Sequence, residues 1–498
     1  MPRLDTTTDV QRLREALRLL ELENKRLVHK NVALTREVLQ LKGEDAAKLQ
    51  LRLAELERQL AARNQALFGQ SSEKRPAPAP AQPVPAQEPE AQRGHGRREQ
   101  PELPLVEVIH ELDEADKACR LCGGALTEWE GQSEDSEEVD VLERRFVLKK
   151  HKRKKYRCSC GGCVETAPAP PKLVPGGRYS VGFAVEVAAQ KYLDHTPLER
   201  QVRIMQREGL CIDSQTLWDQ LNALAHVLAP AHERLHAHVL SQPIIGVDET
   251  RWPLLGSDGA GKWHAWGVAT PHAVCYRIED GRSVDAAARV LGSFAGIAMA
   301  DGLSVYESLA KRGAGFTVAN CWAHVRRKFI ECEDFFPEAT QAIGLIGELY
   351  AVERRCLTGP PGDAQRASLR AQHSRVIVSR LQAWAVSTRA LPQSGLGKAI
   401  AYMGGLWTGL TRFLNDARIP LDNNATERAL RGVVLGRKNH YGSRSRRGTE
   451  VAALFYSLLE SAKLAGIEPK AYLRDAAHAA LRSERIPLPH ELSVTTGS

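Results

Sequence analysis

Downstream of Pro243 the chain alternates in a way that few folds accommodate. Three apolar runs with strand-like patterning, PIIGVDETRWPLL, KWHAWGVA and HAVCYRIED, follow one another across short breaks. A helix-like stretch (SVDAAARVLGSF), a fourth strand (GIAMADG), a second helix (SVYESLAKR), a fifth strand (GFTVANCWAH) and a helix opening at VRRKFIECEDFF come next. Apolar periodicity and Gly/Pro punctuation thus predict the order β-β-β-α-β-α-β-α, that of a ribonuclease-H-like domain. In that order Asp248 sits on the first strand and Asp301 ends the fourth, and these two strands are neighbours in such a sheet. Two carboxylates brought together repel and need cations between them. Hard oxygen donors suit Mg²⁺ or Mn²⁺. Either aspartate alone reads better as a turn-capping residue at a strand end.

A third acid stands far downstream, after a mostly helical stretch (about 331–418) expected as an insertion. LDNNATERALRGVV opens a helix that Asn424 can cap, with Glu427 three residues on. A capping box would have Glu427 bond back to the cap amide; a metal ligand would project from the same first turn. Its surroundings favour the ligand: Arg428, Arg431, Arg437, Lys438, Arg444, Arg446 and Arg447 follow with no acid among them. A lone acid leading a basic, glycine-containing segment reads as a metal ligand beside a phosphate clamp.

The N-terminus carries a different signal. Leu13, Leu20, Leu27, Leu34 and Leu41 recur every seven residues, with Val10, Leu17, Asn24, Asn31 and Val38 at the matching a positions. Leu at d with buried Asn at a favours a parallel two-stranded coiled coil, hence a homodimer or a higher assembly. A Pro/Ala/Gln-rich linker spans 75–101. Beyond it Cys119-x₂-Cys122 and Cys158-Ser-Cys160-Gly-Gly-Cys163 form two knuckles that suit one structural Zn²⁺. Cys160 and Cys163 have the x₂ spacing, and Cys158 is their rival. Between the knuckles, eight acids from Glu128 to Glu143 precede nine Lys/Arg from Arg144 to Arg157.

From Val181 to Leu228 the pattern is helical. Pro197 can start one helix, Gly209 ends it, and Asp213 or Ser214 caps the next. The pair resembles a helix-turn-helix with Gln215, Thr216 and Asp219 exposed, though generic packing explains it equally. The 498 residues exceed one compact core. A formal charge of +8 argues only weakly for a polyanion partner, so the clustering of the basic residues carries that argument. No stretch is apolar enough to span a membrane and no secretory signal is visible, so a cytoplasmic, nucleoid-associated protein is expected.

Ordered along the chain stand FGQSSEK (68–74), the two knuckles, ETAPAPPKLVPGG (165–177), KYLDHTPLERQ (191–201), VDET (247–250), MADGLSVY (299–306), CWAHVRRKF (321–329), LDNNATERALR (421–431) and GRKNHYGS (436–443). In these blocks the chain resembles the insertion-sequence-66 type of bacterial DDE transposases, over almost its whole length. The resemblance implies catalytic acids at Asp248, Asp301 and Glu427, two Mg²⁺ or Mn²⁺ ions per active site, and DNA cleavage at element ends followed by strand transfer into target DNA. It further implies a leucine zipper at the N-terminus, a zinc-binding segment over Cys119–Cys163 and accessory transposition proteins. CSCGGC departs from the family's plain C-x₂-C. Cys321-x₂-His324 is similar to an element after the second Asp in several DDE groups, and reads as packing near the site.

The expected architecture is therefore multidomain: a coiled coil (1–74), the linker (75–101), a zinc module (102–175) and a helical segment (176–240). An α/β ribonuclease-H-like core with its helical insertion (241–447) and a C-terminal helical segment (448–498) complete it. Two other readings fit parts of the pattern, a non-catalytic zinc-containing DNA-binding dimer and a nuclease that cuts without joining. The zinc assignment predicts one tightly held Zn²⁺ per chain, lost from the double variant Cys119→Ser/Cys122→Ser by metal analysis. Comparison of Cys158→Ser with Cys160→Ser then identifies the ligand in the second knuckle.

Overall fold

A computed structural model describes residues 145–157, 163–256, 262–357 and 362–493, with isolated positions between 109 and 126. The chain divides into a small unit, Phe68–Arg144, and a large one made of Met1–Leu67 and Arg145–Ser498. The heptads, the linker, the acidic run and four of the five knuckle cysteines lie outside the described residues. In the small unit the Leu126 amide donates to the Lys117 carbonyl at 2.7 Å, across the stretch of sequence that holds Cys119 and Cys122. In the large unit the basic run, largely exposed, leads into a hairpin of β1 (Lys155–Arg157) and β2 (Val164–Thr166), paired antiparallel with Tyr156 opposite Glu165.

Three helices precede the main sheet. In α1 (Val181–Tyr192) the Ser180 hydroxyl accepts from the Phe183 amide at 3.2 Å. Next, α2 (Leu198–Arg207) starts at Pro197, and Gly209 takes φ +85° just beyond its end. Asp213, one of the two expected caps, accepts from the Thr216 amide at 2.7 Å and opens α3 (Ser214–Leu240). Gln215 and Asp219 are exposed on α3 and bonded to each other; Thr216 is half-buried.

The large unit is a mixed α/β core around one five-stranded sheet. Its strands are β3 (Ile244–Arg251), β4 (His264–Ala269), β5 (Val274–Glu279), β6 (Ile297–Ala300) and β7 (Thr317–Asn320), in the spatial order β5-β4-β3-β6-β7. The first three are antiparallel, and β6 and β7 run parallel to β3. Between them lie α4 (Val284–Leu291) and α5 (Ser304–Lys311). This arrangement is compatible with a ribonuclease-H-like domain.

Side chains alternate across a strand, so β6 and β7 each feed two cores. Ala298, Ala300 and Val318 join the core built with α1 and α3, whereas Met299 and Ala319 point into a second core. That second core is made by α6 (Trp322–Glu333), α7 (Ala339–Glu353), α8 (Asp363–Leu369), α9 (Arg375–Ser387), α10 (Gly395–Gly405) and α11 (Trp407–Thr411). The stretch CWAH, expected as strand, divides differently. β7 stops at Asn320 and α6 opens at Trp322, whose backbone N–H donates to Leu421 O and whose indole N–H donates to Leu410 O, both at 2.9 Å. Tertiary anchoring of the tryptophan overrides its local strand propensity.

The chain then returns to the sheet through α12 (Asn424–His440), α13 (Arg446–Leu464), α14 (Pro469–Leu481) and the short α15 (Pro489–Ser493). From Val451 to Ala462 α13 is buried on every face, as befits its run of apolar residues there. Its Ser457 and Ser461 hydroxyls, one turn apart, accept from the Tyr276 and Val274 amides of edge strand β5 at 2.8 and 3.0 Å. An otherwise open sheet edge is thereby covered. No helix among the described residues is long and apolar enough to cross a membrane.

The seat of α12 on β3 depends on Gly246. A Cβ there would overlap the Thr426 hydroxyl and come within 2.8 Å of Asn423 Oδ1. Replacing Gly246 with Ala should destabilise the chain by about 1–3 kcal/mol, the usual range for overpacking. Urea unfolding checks this, and an unchanged midpoint would mean that the helix is not seated this closely.

Candidate active site

The ladder between β3 and β6 pairs Ile244 with Ile297, Ile245 with Ala298 and Gly246 with Met299. Carried two residues on, the same offset puts Asp248 opposite Asp301, just past the end of β6, while β3 runs on to Arg251 beside β4. Each carboxylate is tied to local backbone: Asp248 Oδ1 accepts from the Glu249 amide at 2.8 Å, and Asp301 Oδ1 from the Leu303 amide at 2.9 Å. Asn320 donates to the Asp301 carbonyl at 3.0 Å, fixing the end of β6 from β7.

Glu427 arrives on the first turn of α12. The alternative reading, a capping box, is not realised. Asn423, not Asn424, is the cap residue; it makes no side-chain cap bond, and Glu427 does not reach back to it. Asn423 is spent elsewhere: its Nδ2 donates to the Val247 carbonyl at 2.8 Å, and its backbone N–H to Cys321 Sγ at 3.3 Å. Glu427 Oε1 is buried with no hydrogen-bond partner. It lies 3.6 Å from His324 Nε2, while Oε2 is 4.0 Å from the Arg327 guanidinium.

Two groups of donor atoms result. One oxygen from each of Asp248, Glu249 and Asp301 lies within 4.8 Å of the others, and Cys321, His324 and Glu427 form a second group with the same spread. The acids act on one another. Burial, followed by the charges of Glu249, Asp301 and Glu427, pushes the Asp248 carboxyl up to about 7, against the opposing bond from the Glu249 amide. Glu249 is also raised by burial, but Tyr306 and Arg282 offset this. Tyr306 donates to its Oε2 at 2.6 Å, and Arg282 Nε to its Oε1 at 2.7 Å. Clustered carboxylates with an orphaned buried oxygen make a donor set that fits hard divalent cations.

The basic residues expected at DNA are placed as follows. Arg428, Arg431, Lys438, Arg444, Arg446 and Arg447 are exposed, and Arg437 is half-buried. Arg437 donates to Thr250 Oγ1 at 2.8 Å and to the Arg251 carbonyl, joining α12 to the end of β3. Arg447 bonds Asn222 and Glu450, and Arg446 lies 3.9 Å from Glu450. Cys119, Cys122, Cys158 and Cys160 lie outside the described residues; Cys163 is exposed, its Sγ 3.8 Å from Glu165.

Two neighbours of the site were not singled out from sequence. Glu249 follows Ile245 and Val247 in the buried register of β3, and an acid in an apolar register is a legible signal. Tyr402 of α10 packs over Gly302, beside Asp301. A Cβ on Gly302 would lie 2.7 Å from its ring, and burial, with the Asp301 charge second, pushes the phenol up to about 12. No local pattern announces that contact.

Comparison with known proteins supplies the lineage. A profile described as "Transposase IS66 family" matches residues 176–451, which hold all three acids and the basic stretch to Arg447. The chain is 34% identical to the uncharacterized protein y4jD of Sinorhizobium fredii, over 75% of this chain and 76% of that one. It is 29% identical to the uncharacterized protein y4hP of the same organism, over 73% and 70%.

Asp248 offers an electrostatic check. Its carboxyl titrates higher folded than unfolded, so the stability it allows at low pH is lost as pH rises from about 4 through about 7. In buffer without added divalent ions, Asp248→Asn should therefore be the more stable protein at pH 8, by a few kcal/mol at most. The difference should close toward pH 4. Thermal unfolding of both proteins measures it, and coincident curves at pH 8 would show that the acids do not strain one another.

Proposed function

The chain belongs to the IS66 transposase family, and from that premise we propose that Asp248, Asp301 and Glu427 are the acids of a DDE active site on a ribonuclease-H-like sheet. The observation that carries this reading is the juxtaposition of Asp248, within β3, and Asp301, just past the end of its parallel neighbour β6, with Glu427 close enough for its charge to act on Asp248. The three would hold two Mg²⁺ or Mn²⁺ ions, which when bound make a water more acidic and neutralise charge on the phosphate.

The chemistry is two displacements at phosphorus. Water adds to the phosphate at the element end and the P–O3′ bond breaks, freeing a 3′-OH. That hydroxyl then attacks a target phosphate, forming the new phosphodiester and releasing a target 3′-OH. The residues of the chain bind and orient. Arg428 and Arg431, exposed on α12 beside Glu427, contact phosphates near the reacting bond, where paired cations favour the negative oxygens. Lys438 and the Arg444–Arg447 cluster track the backbone further out, with Arg437 holding α12 to β3. Asn423 and Asn320 keep the acid-bearing elements in place. Residues 1–74 dimerise the chain and bring two element ends together, Cys119–Cys163 fold around Zn²⁺, and accessory proteins complete the assembly on double-stranded DNA at the nucleoid.

The test is a set of near-isosteric variants. Asp248→Asn, Asp301→Asn and Glu427→Gln should each abolish Mg²⁺-dependent nicking and joining of element-end DNA, with end binding kept within a few fold. Substantial strand transfer by any one of them removes that residue from the active site.

A further inference from the structure

We propose that His324 is a nitrogen ligand to the divalent ion held by Glu427, so that one of the two cation positions has mixed oxygen and nitrogen donors. The inference rests on the DDE reading above. Its starting point is a pair of atoms that face each other without bonding. His324 Nε2 lies 3.6 Å from Glu427 Oε1, beyond a hydrogen bond, and that oxygen is buried and accepts nothing. A buried carboxylate oxygen left alone is costly, and a direct His–Glu bond would have relieved it at small displacement. Two donors on one ion, each roughly 2.0–2.2 Å from it, sit about 3–3.6 Å apart. The observed gap is that of two ligands sharing a cation.

The scaffold supports this geometry. His324 lies in the first turn of α6, directly after β7, and Glu427 in the first turn of α12. The two helix starts are tied together by Trp322 N–H to Leu421 O and by Asn423 N–H to Cys321 Sγ. The donors are thus fixed from two sides before any ion arrives. Cys321 completes the group within 4.8 Å, but its sulfur already receives the Asn423 amide and is a poor match for a hard cation. His324 Nδ1 has no hydrogen-bond partner among the described residues. The ring therefore lacks the outer acceptor that stiffens high-affinity zinc sites, and the site should bind exchangeably. A nitrogen donor shifts preference from Mg²⁺ toward Mn²⁺ and Co²⁺.

The experiment is Mn²⁺ binding to the full-length, untagged protein, followed by electron spin echo spectroscopy for ¹⁴N coupling to the bound ion. Wild type should bind Mn²⁺ and show histidine nitrogen modulation. His324→Gln and His324→Ala should lose the modulation and weaken one Mn²⁺ site about tenfold or more, while Glu427→Gln weakens the same site. Bound Mn²⁺ without nitrogen coupling in wild type, or coupling that persists in both His324 variants, overturns the ligand assignment and leaves the three acids standing. Failure of wild type to bind Mn²⁺ at all overturns the metal-dependent reading itself. A His324 that only packs against α12 would alter stability without touching the nitrogen signal.

Discussion

Asn423 gives its side-chain amide to the Val247 carbonyl one residue before Asp248, and the rest of the site is organised around that bond. It pins the start of α12 to the strand carrying the first acid, and the bare backbone of Gly246 lets the helix come that close. The approach segment is fixed just as firmly. Arg370, 1% exposed, makes a two-point contact with Glu353 and donates to the carbonyls of Phe413, Asp416, Ala417 and Ile419. A buried guanidinium with its donors satisfied contributes little net stability over an apolar substitute, but tolerates very few alternative arrangements. The helices between Asp301 and Glu427 thus serve geometry: they deliver residues 419–427 to the middle of β3, at Gly246 and Val247, in one conformation.

Electrostatics opposes this geometry. Asp248, Glu249 and Asp301 are crowded together, and the direct bonds of Arg282 and Tyr306 go to Glu249. The sheet that brings the aspartates together leaves Asp248 with a carboxyl that resists ionisation. The fold tolerates that local cost because two large cores hold the backbone that carries both carboxylates.

Much of this was legible in the sequence, because strand periodicity and glycine punctuation are local. The alternation after Pro243 announced the strands and helices of the core in order, and Asp248 and Asp301 stood out as acids on neighbouring strands, the second at its strand's end. Pro197, Gly209 and Asp213 likewise marked helix limits through their own backbone preferences. What was not legible depends on distant partners. Trp322 turns CWAH from strand to helix by bonding Leu421 and Leu410, roughly a hundred residues away. Asn423 displaces Asn424 as the cap because β3 claims its side chain. Tyr402 over Gly302 and His324 facing Glu427 are products of tertiary docking, for which no spacing rule exists. The zipper and the zinc knuckles remain readings of sequence.

The serine contacts of α13 with the edge of β5 have a temporal consequence. Strands β3 to β7 leave the ribosome well before residues 446–464, so the edge of β5 waits for those residues to be covered. Pairings so far apart in sequence make folding slow and leave strand edges open to other chains meanwhile. They also bear on the proposed site: a product ending before α12 carries Asp248 and Asp301 but neither Glu427 nor the basic residues from Arg428 to Arg447. An interrupted copy of such a gene therefore yields a chain that lacks part of the proposed site outright, not one in which that site is merely weakened.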